Sequence, residues 1–74
     1  MFLIRFKWLW SRPEVYSGST YIYEGEKYAA FDSFNPKLYK SAKIAENSAK
    51  KLIESCVNLI GAEYKIEKLE GEQQ

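Results

Sequence analysis

The first ten residues alternate in polarity. Phe2, Ile4, Phe6, Trp8 and Trp10 point one way, and Leu3, Arg5, Lys7 and Leu9 point the other. A period of two sustained in β-favouring residue types predicts a half-buried strand with one wholly apolar face. Ser11-Arg12-Pro13-Glu14 breaks the pattern, because proline has no N–H to give to a sheet ladder. Val15 and Tyr16 add at most a short extension before Ser17-Gly18-Ser19, which reads as a flexible turn. Thr20-Tyr21-Ile22-Tyr23 is then a second strand. Glu24-Gly25-Glu26-Lys27 suits a hairpin loop with glycine supplying positive φ. Tyr28-Ala29-Ala30-Phe31 is the returning strand or a single helical turn. Asp32-Ser33-Phe34-Asn35-Pro36 is an irregular link in which Pro36 holds Asn35 extended, and Leu38 and Tyr39 anchor the link to the core.

After Ser41 the period changes. Ala45, Ala49, Leu52, Cys56 and Leu59 recur at helical spacing, with Ala42, Ile44, Ile53 and Ile60 widening the stripe. Lys43, Glu46, Asn47, Lys50, Lys51, Glu54 and Asn58 fall on the other side. The pattern predicts a helix from Ala42 to Ile60, with Ser41 as its N-cap and Gly61 ending it in the left-handed conformation. Ala62 to Leu69 alternates again, with Tyr64 and Ile66 inward, and predicts the last strand. Its charged residues, Glu63, Lys65, Glu67 and Lys68, suit an exposed face or a protected edge. The expected fold is α+β, a small antiparallel sheet of three to four strands with one helix on one face, in the order ββ(β)αβ. It forms one domain over residues 1–70, followed by a polar tail over 71–74.

Composition narrows the chemistry. The chain has 74 residues, one cysteine and no histidine. No intramolecular disulfide can form, and a lone thiol among scattered carboxylates does not make a zinc site. Without histidine the familiar nucleophilic triads are excluded. Cys56 sits on the apolar helix stripe and reads as an inert core thiol. Glu24 and Glu26 share a hairpin tip and read as a solvated turn, and isolated Gly18 and Gly25 form no phosphate loop. No catalytic residue, metal ligand or cofactor is expected, and the protein reads as a non-enzyme. Arg5 and Lys7 interrupt the apolar N-terminus, so it reads as neither a signal peptide nor a membrane span. With one cysteine, a cytoplasmic location is the expectation.

What remains is binding. Net charge is only +1, but residues 1–51 hold nine Lys/Arg against five Asp/Glu, while 52–74 hold two against five. Lys37, Lys40, Lys43, Lys50 and Lys51 form a basic run and are candidate nucleic-acid contacts, with exposed tyrosines as stacking platforms. Near-neutral charge and the lack of a recognised motif make this the alternative rather than the first reading. The first reading is protein binding, to a target protein or to a second copy as a homodimer. A sheet with two faces and one helical cover leaves aromatic surface over, and Tyr and Trp are preferred interface anchors. Arg5, Lys7, Trp8, Trp10, Tyr21 and Tyr23 are the candidate partner-binding residues.

The strand beginning at Met1, the tyrosine-rich hairpin, Lys37-Leu38-Tyr39-Lys40-Ser41 leading into the Ala-, Lys- and Glu-rich helix, and the final strand together resemble small bacteriophage and prophage accessory proteins. That resemblance implies a non-catalytic inhibitor that binds a host protein. Members that mimic DNA are strongly acidic, and this chain is not, so the resemblance implies contact through shape and aromatic groups.

Overall fold

The alternating N-terminal residues form β1, Phe2–Trp8, in the computed structural model, which describes residues 1–69. The tail expected over 71–74 lies outside them. β2 spans Ser11–Tyr23, β3 Glu26–Phe31, α1 Ala42–Ser55 and β4 Glu63–Lys68. The strands make one antiparallel sheet in the order β3-β2-β1-β4, with α1 on one face. The α+β expectation holds, with four strands. Ile4, Phe6 and Trp8 of β1 meet Ala45, Ala49 and Leu52 of α1, and Tyr16, Ala29, Tyr39, Cys56 and Leu59 complete the core. Tyr64 and Ile66 of β4 pack against it as expected. Leu3 and Val15 are buried as well, on the sheet face away from the helix.

β1 stops two residues earlier than its alternation. Leu9 and Trp10 form the turn into β2, and Trp8 pairs with Ser11. Trp10 therefore leaves the inward face and is 74% exposed.

β2 corrects two further expectations. Pro13 does not end a strand; it lies in β2 where Trp8↔Ser11 and Phe6↔Glu14 differ in register by one residue. A bulge leaves one residue without a ladder partner, which is where proline's missing N–H is tolerated. Ser17-Gly18-Ser19 is likewise no turn but a second irregularity in the same strand, between Tyr16↔Phe31 and Thr20↔Ala29. Gly18 takes φ +96°, and the Ser17 hydroxyl donates to the Ala30 carbonyl at 3.0 Å, holding the irregularity to β3. A Cβ at Gly18 would stand 3.2 Å from Lys37 Cβ, so the site requires glycine both for its backbone and for that approach.

Just before this second irregularity β2 changes partner, pairing with β1 up to Val15 and with β3 from Tyr16 onward. The link after β3 fills the flank of β1 that β2 leaves. Lys37 N–H donates to the Tyr16 carbonyl at 3.0 Å, and Tyr39 and Phe2 exchange two backbone hydrogen bonds of 2.8 Å. Tyr39 is the buried anchor here, whereas Leu38 is exposed. Asp32 Oδ1 accepts from the N–H groups of Phe34 and Asn35, which turns the chain without regular structure.

Ser41 caps α1 as expected, its hydroxyl accepting from Ile44 N–H at 3.1 Å. The other end differs. The helix stops at Ser55, Cys56 is extended, and Val57–Leu59 form a single 3₁₀ turn. Gly61, at φ +82°, turns the chain into β4 rather than capping the helix. The buried stripe still includes Cys56 and Leu59, but Asn58 has left the solvent face. Its side-chain Oδ1 accepts from Ala29 N–H and its Nδ2 donates to the Ala29 carbonyl, both at 3.0 Å, while its backbone carbonyl accepts from the Trp8 indole N–H at 3.0 Å. A continued α-helix would not bring one residue to both β1 and β3. Ile44 and Ile60, expected to widen the stripe, are exposed, as is Ala42.

Candidate protein-binding surface

The C-terminal part of β2 and the start of β3 form an arm. Every residue from Gly18 to Lys27 is exposed, and the molecule measures 44 × 22 × 22 Å along its principal axes. The hairpin turns on two residues, Glu24 at φ 51° and Gly25 at φ 81°, the positive-φ pair of a type I′ turn. A four-residue loop over Glu24–Lys27 would have set Tyr23 opposite Tyr28. The two-residue turn instead pairs Tyr21 with Tyr28 and Tyr23 with Glu26.

That register assembles a tyrosine cluster. The Tyr21 and Tyr28 rings stack with centroids 5.4 Å apart and planes 10° from parallel, and Tyr23 meets Tyr28 edge-on at 6.4 Å. Tyr21 and Tyr23 are 51% and 60% exposed. Ala29 and Phe31 belong to the core side of β3, so by strand alternation Tyr28, Tyr21 and Tyr23 lie on the face the helix does not cover. Glu26 shares that face, and Lys27, paired with Ile22, lies on the opposite one.

The other candidates are divided by the fold. Arg5 and Lys7 are on the uncovered face, with Arg5 opposite Val15. Tyr21 is six residues further along β2 than Val15, roughly 20 Å at about 3.3 Å per residue. They do not form one patch with the tyrosines. Arg5 is also engaged: its Nε and a terminal NH2 nitrogen donate to the two carboxylate oxygens of Glu67, at 2.8 and 3.0 Å. This pairing raises the Arg5 pKa and lowers that of Glu67, hydrogen bonding being the largest cause for both. Trp8 is a core residue whose indole N–H is already bound, so it packs rather than presents a face. Trp10 is exposed at the opposite end of β2 from the tyrosines, beside Gly61.

Of the five lysines of the basic run, Lys43, Lys50 and Lys51 are on α1, and Lys37 and Lys40 are in the link before it. Lys37 Nζ stands 5.7 Å from the Tyr39 ring centroid. Lys50 Nζ is 3.8 Å from Glu46 Oε2, and the same Glu46 oxygen accepts from the Tyr64 hydroxyl at 3.1 Å. Lys40, Lys43 and Lys51 are exposed, and Lys51 lines a shallow groove with Tyr39, Ile44, Asn47 and Ser48.

The sequence offers Tyr28 only as a platform for stacking bases and Glu24 and Glu26 only as a solvated turn, none of them as a partner-binding residue. Their signal was present in the spacing: a two-residue turn at Glu24-Gly25 sets the cross-strand pairs, and hence the shared face. Among the described residues, no group of three or more His, Cys, Asp or Glu side chains could hold a metal ion, and no helix is long and apolar enough to cross a membrane. Compared with protein-family models, with curated proteins and with solved structures, the chain finds no match in any of the three.

Proposed function

We propose that this chain is a non-catalytic protein-binding module that presents the tyrosine face of the β2–β3 arm to a partner protein. The cluster that exposed Tyr21 and Tyr23 form with half-buried Tyr28 carries the reading. Tyrosine offers large, rigid contact area at little entropic cost and is enriched at interface hot spots. The arm also holds the rings away from the core, so they are not needed to bury it. On the resemblance to phage and prophage accessory proteins, the partner is a host protein whose action the chain inhibits.

The test is affinity capture from a lysate of the cells in which the gene acts, comparing the native chain with a Tyr21→Ser, Tyr23→Ser, Tyr28→Ser variant. A discrete protein retained by the native chain and lost from the variant supports the reading. A protein retained equally by both removes the arm as the binding surface. Nucleic-acid contact through the lysines is the alternative, with the exposed Lys40, Lys43 and Lys51 in its favour. Glu46 and Glu54 on the same helix weaken its field. It predicts retention of DNA or RNA that falls steeply with salt and weakens in Lys40→Glu or Lys43→Glu.

A further inference from the structure

We infer that the segment bound by the arm is cationic, an arginine-bearing stretch of protein chain; this rests on the protein-binding reading above and names its partner's chemistry. The uncovered face of the arm carries three tyrosine rings and the Glu26 carboxylate, with Glu24 at the turn beside them. The arm's one cation, Lys27, is on the other face. An aromatic ring is negative over its face and positive at its edge, so a free ring face and the Glu26 carboxylate both attract a cation.

Guanidinium matches this surface best. It is planar, weakly hydrated, stacks on phenol rings and donates paired N–H groups to a carboxylate. Tyr23 and Glu26 are directly opposite each other, which puts their Cβ atoms about 5 Å apart. One arginine side chain reaches both. A phosphate backbone would instead meet the Glu26 carboxylate, with Glu24 at the turn and no cation of the arm on that face, which sets nucleic acid aside as the ligand of the arm.

The experiment is a titration of the full chain at low ionic strength, followed through the ring resonances of Tyr21, Tyr23 and Tyr28. The probes are an arginine–glycine repeat peptide, the matching lysine–glycine and glutamate–glycine peptides, and single-stranded oligothymidylate. The arginine peptide is expected to shift the ring signals and to bind several-fold tighter than the lysine peptide, while the other two leave the rings unmoved. Replacing both carboxylates, Glu24→Gln with Glu26→Gln, is expected to weaken the arginine peptide about three- to ten-fold.

No response to the arginine peptide, an equal response to the glutamate peptide or oligothymidylate, or an affinity indifferent to the Gln substitutions would overturn the inference. The captured partner separates this failure from that of the broader reading. A partner lost on Tyr→Ser but indifferent to Glu→Gln sinks the cationic assignment and leaves protein binding standing. A partner indifferent to Tyr→Ser sinks the protein-binding reading of the arm itself.

Discussion

Asn58 closes the outer edge of β3 at Ala29, its amide accepting from the Ala29 N–H and donating to the Ala29 carbonyl, both at 3.0 Å. A side-chain amide here stands in for a neighbouring strand. Ala29 is buried, so neither backbone group has water to turn to if Asn58 is removed. Asn58→Ala is expected to cost about 2–4 kcal/mol, since both groups are left unsatisfied. It should also speed exchange of the Ala29 amide proton well beyond the change in global stability. An Ala29 amide protected as well as in the native chain would contradict the bond.

The tight side of α1 gives a second expectation. Ala45 and Ala49 have no exposed surface, and Leu52 follows them along the same stripe. Leu52→Ala should cost about 2–5 kcal/mol, by lost transfer energy and a residual cavity. Ala49→Leu should cost about 1–3 kcal/mol for the opposite reason, a side chain with nowhere to go. Chemical denaturation midpoints measure both. An unchanged midpoint in either variant would take that position out of the core.

Much of this was legible in the sequence, and the exceptions share a cause. β1, the Ser41 cap and the Ala45–Ala49–Leu52 stripe follow from local periodicity and capping chemistry, which need no tertiary partner. The end of α1 did not follow, because Cys56 and Leu59 keep facing the core after the helix stops, so the apolar period runs through a break it cannot register. What ends the helix is the reach of Asn58 to Ala29 and Trp8, contacts made 29 and 50 residues away along the chain. Pro13 and Gly18 misled in a similar way. Each is a strand breaker on its own, yet each falls at an irregularity that a long strand tolerates. The tyrosine face depended on one choice, a two-residue turn at Glu24-Gly25.

The Arg5–Glu67 pair sets a pH expectation. Glu67 has its pKa lowered in the folded protein, chiefly by the hydrogen bonds from Arg5. Its contribution is therefore fully present above the unfolded carboxyl value, about pH 4.3, and is lost as pH falls through the lower folded value. Both side chains are partly exposed, at 37% and 27%, so solvent screening keeps the contribution below about 1 kcal/mol. Glu67→Gln should be less stable than the native chain at neutral pH, and the gap should close in acid. A gap that widens on acidification would contradict the assignment.

Tyr16 gives the alkaline counterpart. Burial is the largest cause raising its pKa, so the fold favours the neutral phenol. That preference costs nothing below the unfolded value, about pH 10, and stability falls as pH rises beyond it. Tyr16→Phe should flatten the alkaline arm of the stability profile, read by urea midpoints across that range. An alkaline arm as steep in Tyr16→Phe as in the native chain would place its origin elsewhere.

The central claim is that the tyrosine face of the arm serves binding and not folding. The most direct measurement takes Tyr21→Ser, Tyr23→Ser, Tyr28→Ser through urea denaturation and partner capture side by side with the native chain. The account predicts an unfolding free energy within about 1–2 kcal/mol of native, the scale of lost cross-strand aromatic pairs, together with loss of the captured protein. A variant that unfolds outright, or one that stays folded and keeps the partner, would contradict it.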